Sequence, residues 1–187
     1  MKGILAILSS TCLIASAQQT LVLDKPTFRV EYRHDLGIPQ MVSWPLAKEH
    51  LGNIKRDPSF RFKVDGDTPR PRVTSDLYTR SGYQRGHMCP AADRSASRSS
   101  MKSTFIMSNV CPMTAALNCG SWKLTEELER KIARRFDSCR VISGALFFPS
   151  DTQWIGRGRV AVPHAFYKCI YTVDPPHVWG WFIYENK

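Results

Sequence analysis

A mixed α+β fold with a largely antiparallel sheet is what this sequence predicts, on three observations. One stretch, Trp122 to Phe136, repeats its apolar residues at helical spacing. Several short segments on both sides of it are rich in Val, Ile, Phe, Tyr and Trp, the residues that suit a pleated, half-buried surface. The two kinds of segment do not alternate along the chain, which argues against a doubly wound parallel sheet.

The elements follow in order. Residues 1–17 stand outside the fold: Lys2 gives a positive start, Ile4 to Leu8 and Cys12 to Ala15 form a short apolar run, and Ala15-Ser16-Ala17 suits a signal-peptide cleavage site. The run is too short to span a bilayer. Export to the periplasm or medium is therefore expected, without stable membrane insertion, leaving Gln18–Lys187 as one domain. Phe28 to Tyr32 and Met41 to Leu46 are expected as strands joined by the turn-like His34 to Pro39. Residues 52 to 82, rich in Pro, Gly, Asp, Arg and Ser, predict an extended basic loop with a short ordered piece at Phe60 to Val64. Tyr83 to Met88 and Thr104 to Ser108 are expected as strands, with an irregular polar stretch from Pro90 to Ser100 between them.

The helix is the firmest element. Leu124, Leu128, Ile132 and Phe136 recur every four residues, and Glu126, Glu127, Glu129, Arg130 and Lys131 cover the other faces. Ser121 is expected as its N-cap, with the acids early and Arg134 and Arg135 late, as the helix dipole prefers. Cys139 to Ser143, Arg159 to Val162, Phe166 to Val173 and Val178 to Tyr184 then continue the sheet.

Charge narrows the partners. The chain carries a formal +10, of which Lys2 is the only charge in the leader, so the mature chain keeps +9. That surplus favours polyanions, nucleic acid above all. Five cysteines remain after cleavage, and none is spaced as C-x-x-C, so a zinc site is not indicated. Export permits disulfides. The strand assignments pair Cys139 with Cys169 and Cys89 with Cys111, leaving Cys119 free.

One segment points to chemistry: Gly82 to Asp93, GYQRGHMCPAAD, followed about thirty residues later by Asn118. Histidine offers a base near neutral pH, arginine a fork for phosphate oxygens, and glycine room for a phosphate to approach the backbone. Asparagine offers one hard, uncharged oxygen to a hydrated divalent cation. Together they suit metal-assisted attack of water on a phosphodiester.

The stretches QRGHMCPAAD, FIMSNVCPM (Phe105 to Met113) and LNCGSWKLTEELER (Leu117 to Arg130) resemble the DNA/RNA non-specific endonucleases, a family of ββα-metal or His-Me finger nucleases. SGY before the motif, SGALF and VAVPHAFYKCI after the helix, and Trp44 also match. The resemblance implies a ββα-metal core and assigns roles residue by residue. His87 matches the general base, and Asn118 the single protein ligand of magnesium, with manganese as the alternative ion. Glu126 would hold metal-bound waters and Arg130 would touch phosphate; the two share one helix face. Glu127 and Glu129 are neighbouring alternatives to Glu126. Arg85 matches the motif arginine at the scissile phosphate, and Asn109 a substrate-binding or supporting asparagine. The remaining histidines, His34, His50, His164 and His177, are expected at the surface or in packing.

Two positions depart from the family pattern. Gln84 stands where D-R-G-H has aspartate, and Met113 where N-x-x-P-Q has glutamine. An upstream arginine of the family has three candidates, Arg61, Arg70 and Arg72. The implied function is an exported, metal-dependent endonuclease acting on DNA and RNA. The competing readings are a catalytically impaired nucleic-acid-binding protein on the same fold, with Gln84 as its signature, and a basic exported protein acting on an acidic surface.

Overall fold

The computed structural model describes residues 20–148 and 152–187, so the expected leader and its cleavage site lie outside the described residues. Six strands form one antiparallel sheet: β1 (Thr20–Asp24), β2 (Arg29–Arg33), β3 (Ile38–Ala47), β6 (Ser138–Leu146), β9 (Ala165–Val173) and β10 (Pro176–Glu185), in that spatial order. The turn between β2 and β3 closes at Gly37, which has φ 66°; a Cβ there would lie 2.2 Å from the Arg159 carbonyl oxygen. Only glycine fits such an approach at positive φ.

Alternation along the central strands sends Val42, Trp44 and Leu46 of β3, Val141 and Ala145 of β6, and Phe166 and Ile170 of β9 into the main core. Against that face lies a long helix, α3 (Ser121–Arg135). Between β3 and β6 the chain forms the finger that carries the motif. Strand β4 (Gln84–His87) pairs antiparallel with β5 (Val110–Met113), setting Gln84 opposite Met113 and His87 opposite Val110. A short helix, α1 (Arg98–Ser103), lies in the connection between them. Another, α2 (Ala115–Cys119), follows β5 and leads directly into α3. A hairpin of β7 (Gln153–Ile155) and β8 (Val160–Val162) stands apart from the main sheet. No described helix is long and apolar enough to cross a membrane.

Several expectations are corrected. Thr104 to Ser108 is not a strand: Ile106 makes a single parallel bridge to Lys63, and the second finger strand begins at Val110. Pro112 disguises that strand, but a two-stranded ribbon leaves an edge free of ladder bonds, where a missing N–H is tolerated. Asn118 lies on α2, and Gly120 rather than Ser121 is the N-cap of α3.

The helix face is also rotated from the expected stripe. Leu124 is 66% exposed, while Trp122, Thr125, Glu129, Ile132 and Ala133 are buried. A glutamate lies on the buried face because Lys168 of β9 meets it, Nζ to Oε2 2.9 Å, with both side chains at 0% exposure.

All five described cysteines are free thiols. Register explains why one expected bridge is not made: Cys169 lies opposite Ile142, three residues along β6 from Cys139. In the finger Cys111 faces Gly86, and Cys89 lies beyond the end of β4.

Candidate active site

The finger is pinned so that the end of β4 cannot drift. Trp122 donates its indole N–H to the His87 carbonyl (3.2 Å), and the Met88 N–H reaches the Asn109 carbonyl (3.0 Å). The Asn109 side chain accepts from the Cys89 N–H (2.9 Å) and donates to the carbonyls of Cys89 (2.9 Å) and Thr104 (3.0 Å). Fully buried and fully engaged, Asn109 cannot meet a nucleic acid. That corrects the expected substrate contact: Asn109 is a clamp on the backbone next to His87.

Gly86 has a similar outcome. A Cβ there would lie 2.3 Å from the Met113 sulfur, so the motif glycine makes room for its cross-strand neighbour. Met113, the departure from the family glutamine, fills the space beside it.

His87 packs between two aromatic rings, Phe62 at 4.9 Å and Phe105 edge-on at 4.8 Å. Its Nε2 is enclosed without a hydrogen-bond partner, although the residue as a whole is only half-buried. Burial, aided by the Arg56 guanidinium, pushes the imidazole down to about 3. The shielding and the nearby cation both disfavour the charged form. The ring is therefore neutral and holds a lone pair.

Beside Phe62 opens a cleft of about 570 Å³. Arg56, Arg61, Tyr83, Gln84, Arg85 and Asn118 contribute to its lining. Arg85 is braced from behind, Nη2 donating to the Ser75 carbonyl at 2.5 Å, with its guanidinium 5.6 Å from the Tyr78 ring. Of the three upstream candidates only Arg61 lines this cleft; Arg70 and Arg72 border a separate depression with Val64 and Pro71. Arg56 was not foreseen. Nothing local marks it, since it reaches the site through the fold of the long loop.

Asn118 donates its Nδ2 hydrogen to Gln84 Oε1 at 2.7 Å. The amide is thereby oriented, and its Oδ1 is left for another partner. Among the described residues no group of three or more His, Cys, Asp or Glu side chains is placed to hold a metal ion. A cation here would rest on a neutral amide oxygen and its own waters, which suits a hard ion such as magnesium or manganese.

Glu126 and Arg130 are placed differently. Arg130 bonds Asp93 Oδ1 at 3.0 Å, and the other oxygen of this fully buried carboxylate accepts from Trp44 Nε1 at 2.9 Å. Burial pushes Glu126 up to about 7, with Lys168 opposing and Asp93 adding to the shift. Glu126, itself half-buried, borders an ionic cluster of Asp93, Glu129, Arg130 and Lys168, and none of the five lines the arginine cleft. Asp93 ends the motif segment, but a buried carboxylate joined to a tryptophan and an arginine distant in sequence leaves no local signature. The other histidines that can be followed serve packing: His50 and His164 accept backbone N–H bonds, and His177 packs on Trp179.

Comparison with known proteins points to one family. A family model described as DNA/RNA non-specific endonuclease matches residues 9–186. Nuclease C1 of Cunninghamella echinulata var. echinulata is 33% identical over 186 residues, 88% of this chain and 71% of its own. The nuclease of Nostoc sp. is 30% identical over 155 residues, 81% of this chain and 54% of that protein. Mitochondrial nuclease EXOG of Xenopus laevis is 35% identical over 158 residues, 74% of this chain and 44% of its own. The chain thus spans about half the length of the Nostoc and EXOG relatives. A chain from the crystal structure of the EndoG/EndoGI complex superposes with a TM-score of 0.82 at 26% identity, covering 89% of this chain and 74% of that one. With a ββα finger bearing His87 and Asn118 and a family match over nearly its whole length, the chain belongs to the DNA/RNA non-specific endonuclease family.

Proposed function

We propose that this protein is a metal-dependent endonuclease, exported after removal of residues 1–17, that hydrolyses DNA and RNA with little regard for sequence. The observation that carries this reading is the convergence of Asn118, Gln84 and three arginines on one cleft beside the His87 ring. Arginines grip phosphate, which DNA and RNA share, and phosphate contacts carry no sequence information. The names of the relatives support the same substrate class.

The residues divide the work. Asn118 Oδ1 would hold the cation, which when bound supplies Lewis-acid stabilisation of the scissile phosphate and the leaving oxygen. Arg85, held by Ser75, offsets phosphate charge, with Arg56 and Arg61 on the same wall. His87 takes the proton of the attacking water at Nδ1, the nitrogen that is not enclosed. A phosphate seated by Arg56 cancels the positive charge acting on the imidazole and so raises its basicity as substrate binds.

The impaired-binder reading rests on Gln84. Gln84, however, engages the nitrogen of Asn118 and leaves the oxygen open, so the departure does not block the site. Digestion of plasmid and RNA by the purified protein, with magnesium, manganese and chelator compared, tests the proposal. Cleavage undiminished by chelator refutes the metal role.

Two variants probe the ligand pair. Asn118→Ala should lose activity at ordinary magnesium and recover part of it at high magnesium, because one ligand of an otherwise aquated ion is gone. A loss that no magnesium concentration relieves would remove Asn118 from the metal site. Gln84→Asp should reach half-maximal rate at lower magnesium, since a carboxylate beside Asn118 adds attraction to a divalent cation and its waters. Superimposable metal titrations of the variant and the wild type would show that position 84 does not face the ion's hydration shell.

A further inference from the structure

The β7–β8 hairpin contributes nothing to the chemistry above, yet its architecture is costly. Its turn places Gly156, Arg157 and Gly158 at φ 60°, 62° and 75°. Across from it Arg80 stands at φ 58°. Two arginines in the left-handed region are uncommon, and such strain persists where the surroundings enforce it. Here they do: a Cβ on Gly156 would lie 2.6 Å from the Leu77 Cβ, so the hairpin is pressed against the 75–78 turn.

Between the hairpin and residues 74–81 lies a cavity of about 670 Å³. Asp76, Arg80, Trp154, Arg157 and Arg159 are among its lining. Arg159 is spent on structure, donating to the carbonyls of Pro71 (2.6 Å) and Arg72 (3.1 Å). Arg80 and Arg157 are exposed, and among the described residues neither has an ion pair or a side-chain hydrogen bond. Trp154 leaves 43% of its surface in solvent. Two exposed guanidinium groups that make no side-chain hydrogen bond or ion pair among the described residues, beside an exposed indole, form the combination that grips a phosphate and stacks a base.

This cavity adjoins the arginine cleft. Tyr83, which lines the cleft, donates its hydroxyl to Gln153 Oε1 of the hairpin at 2.8 Å. Ser75, which braces Arg85, belongs to the same turn as Asp76. Asp76 is held below the usual carboxylate range by its Thr74 hydrogen bond and backbone contacts, and then by Arg157 and Arg85 together. One carboxylate thus feels both the hairpin arginine and the cleft arginine, so a strand leaving the cleft past Tyr83 meets the hairpin next.

We propose that the cavity under the β7–β8 hairpin is a second nucleic-acid subsite for a flanking nucleotide of the cleaved strand, its phosphate on Arg80 and Arg157 and its unpaired base on Trp154. The inference rests on the nucleic-acid reading of the cleft and adds a substrate preference to it: a base must be unstacked to reach the indole. Single-stranded or locally melted substrate therefore gains from the subsite, and blunt duplex does not gain the stacking part.

The test is fluorescence anisotropy in chelator, where binding is read without turnover. The probes are a labelled twelve-nucleotide oligothymidylate and a blunt duplex of the same length. Trp154→Ala should weaken oligothymidylate binding by about tenfold, within the range for loss of one base–aromatic stack, and leave the duplex nearly unchanged. Arg157→Gly and Arg80→Gly put into these backbones the residue they favour, so charge is lost without added strain. Each should reduce the salt slope of log affinity on the single strand by about 0.7. Coincident curves for Trp154→Ala and wild type on oligothymidylate overturn the subsite. Failure of the wild type to bind either probe overturns the subsite and the nucleic-acid reading together. Binding that depends on Trp154 but is followed by no hydrolysis in magnesium upholds the subsite and overturns only the catalytic reading.

Discussion

Replacing His87 with alanine should lower turnover by about 10²- to 10⁴-fold, the range for losing a general base, while oligonucleotide binding in chelator stays within a few-fold of wild type. Binding survives because the phosphate-gripping groups, Arg56, Arg61 and Arg85, do not depend on the imidazole. The His87 ring also fills space between Phe62 and Phe105, so alanine leaves a gap as well as removing a base. His87→Asn separates the two effects, because it keeps more of the packing and lacks a comparable base. Both variants should lose turnover to a similar degree, with thermal stability closer to wild type in His87→Asn. Near-normal turnover in either would take His87 out of the mechanism.

His87 and Asn118 were legible as site candidates because each sits in a short motif whose spacing is a local property of the chain. So was α3, where fifteen helical residues give periodicity room to show. The face that α3 buries was not. Glu129 looks like a surface residue until Lys168, on a strand far along the chain, is folded against it. Burial of a charge depends on a partner that no window of sequence contains. Asn109 stood open between a substrate contact and a supporting role for a related reason. An asparagine beside a catalytic segment suggests a substrate contact, and only the fold reveals that its three hydrogen bonds close on Cys89 and Thr104. The Cys139–Cys169 pair failed on register, since neighbouring strands need not place two thiols opposite each other. Arg56 and the Trp154 cavity became visible only when the long loop and the second hairpin were placed beside the finger.

Lys168→Met should be the most destabilising single change in the ionic cluster. Lys168 lies fully buried on the core face of β9, 2.9 Å from Glu129, with its ammonium 4.5 Å from the Trp122 ring and 5.6 Å from that of Trp44. Burial disfavours its charge, yet Glu129, Glu126 and Asp93 together raise its affinity for a proton, so it stays an ammonium ion. Lys168 is the cation in ion-pair contact with the buried Glu129 carboxyl, whose other charged neighbours, Asp93 and Glu126, carry the same sign as itself. Methionine keeps the volume and removes that charge, leaving Glu129 buried and uncompensated. Breaking such a pair from one side costs about 3–5 kcal/mol, and a chain of this size loses roughly 2–4 °C of Tm per kcal/mol.

The sign of the pH dependence follows from the carboxylates. Lysine is charged in both folded and unfolded states below its ordinary pKa, so it adds no slope between pH 5 and 8. Burial already raises Glu126 and Glu129 in the folded wild type, and removing the cation raises them further. In the unfolded chain they ionise near the ordinary glutamate value. The folded variant therefore binds more protons than the unfolded one above that value, and its stability falls as pH rises. The Tm deficit should be larger at pH 8 than at pH 5. Adding Glu129→Gln to Lys168→Met should recover much of the loss at pH 8, because the orphaned charge is gone. If the double variant melts no higher than Lys168→Met, the deficit comes from lost contact of the lysine stem and ammonium with Trp44 and Trp122, and the buried charge is not what Lys168 holds in place.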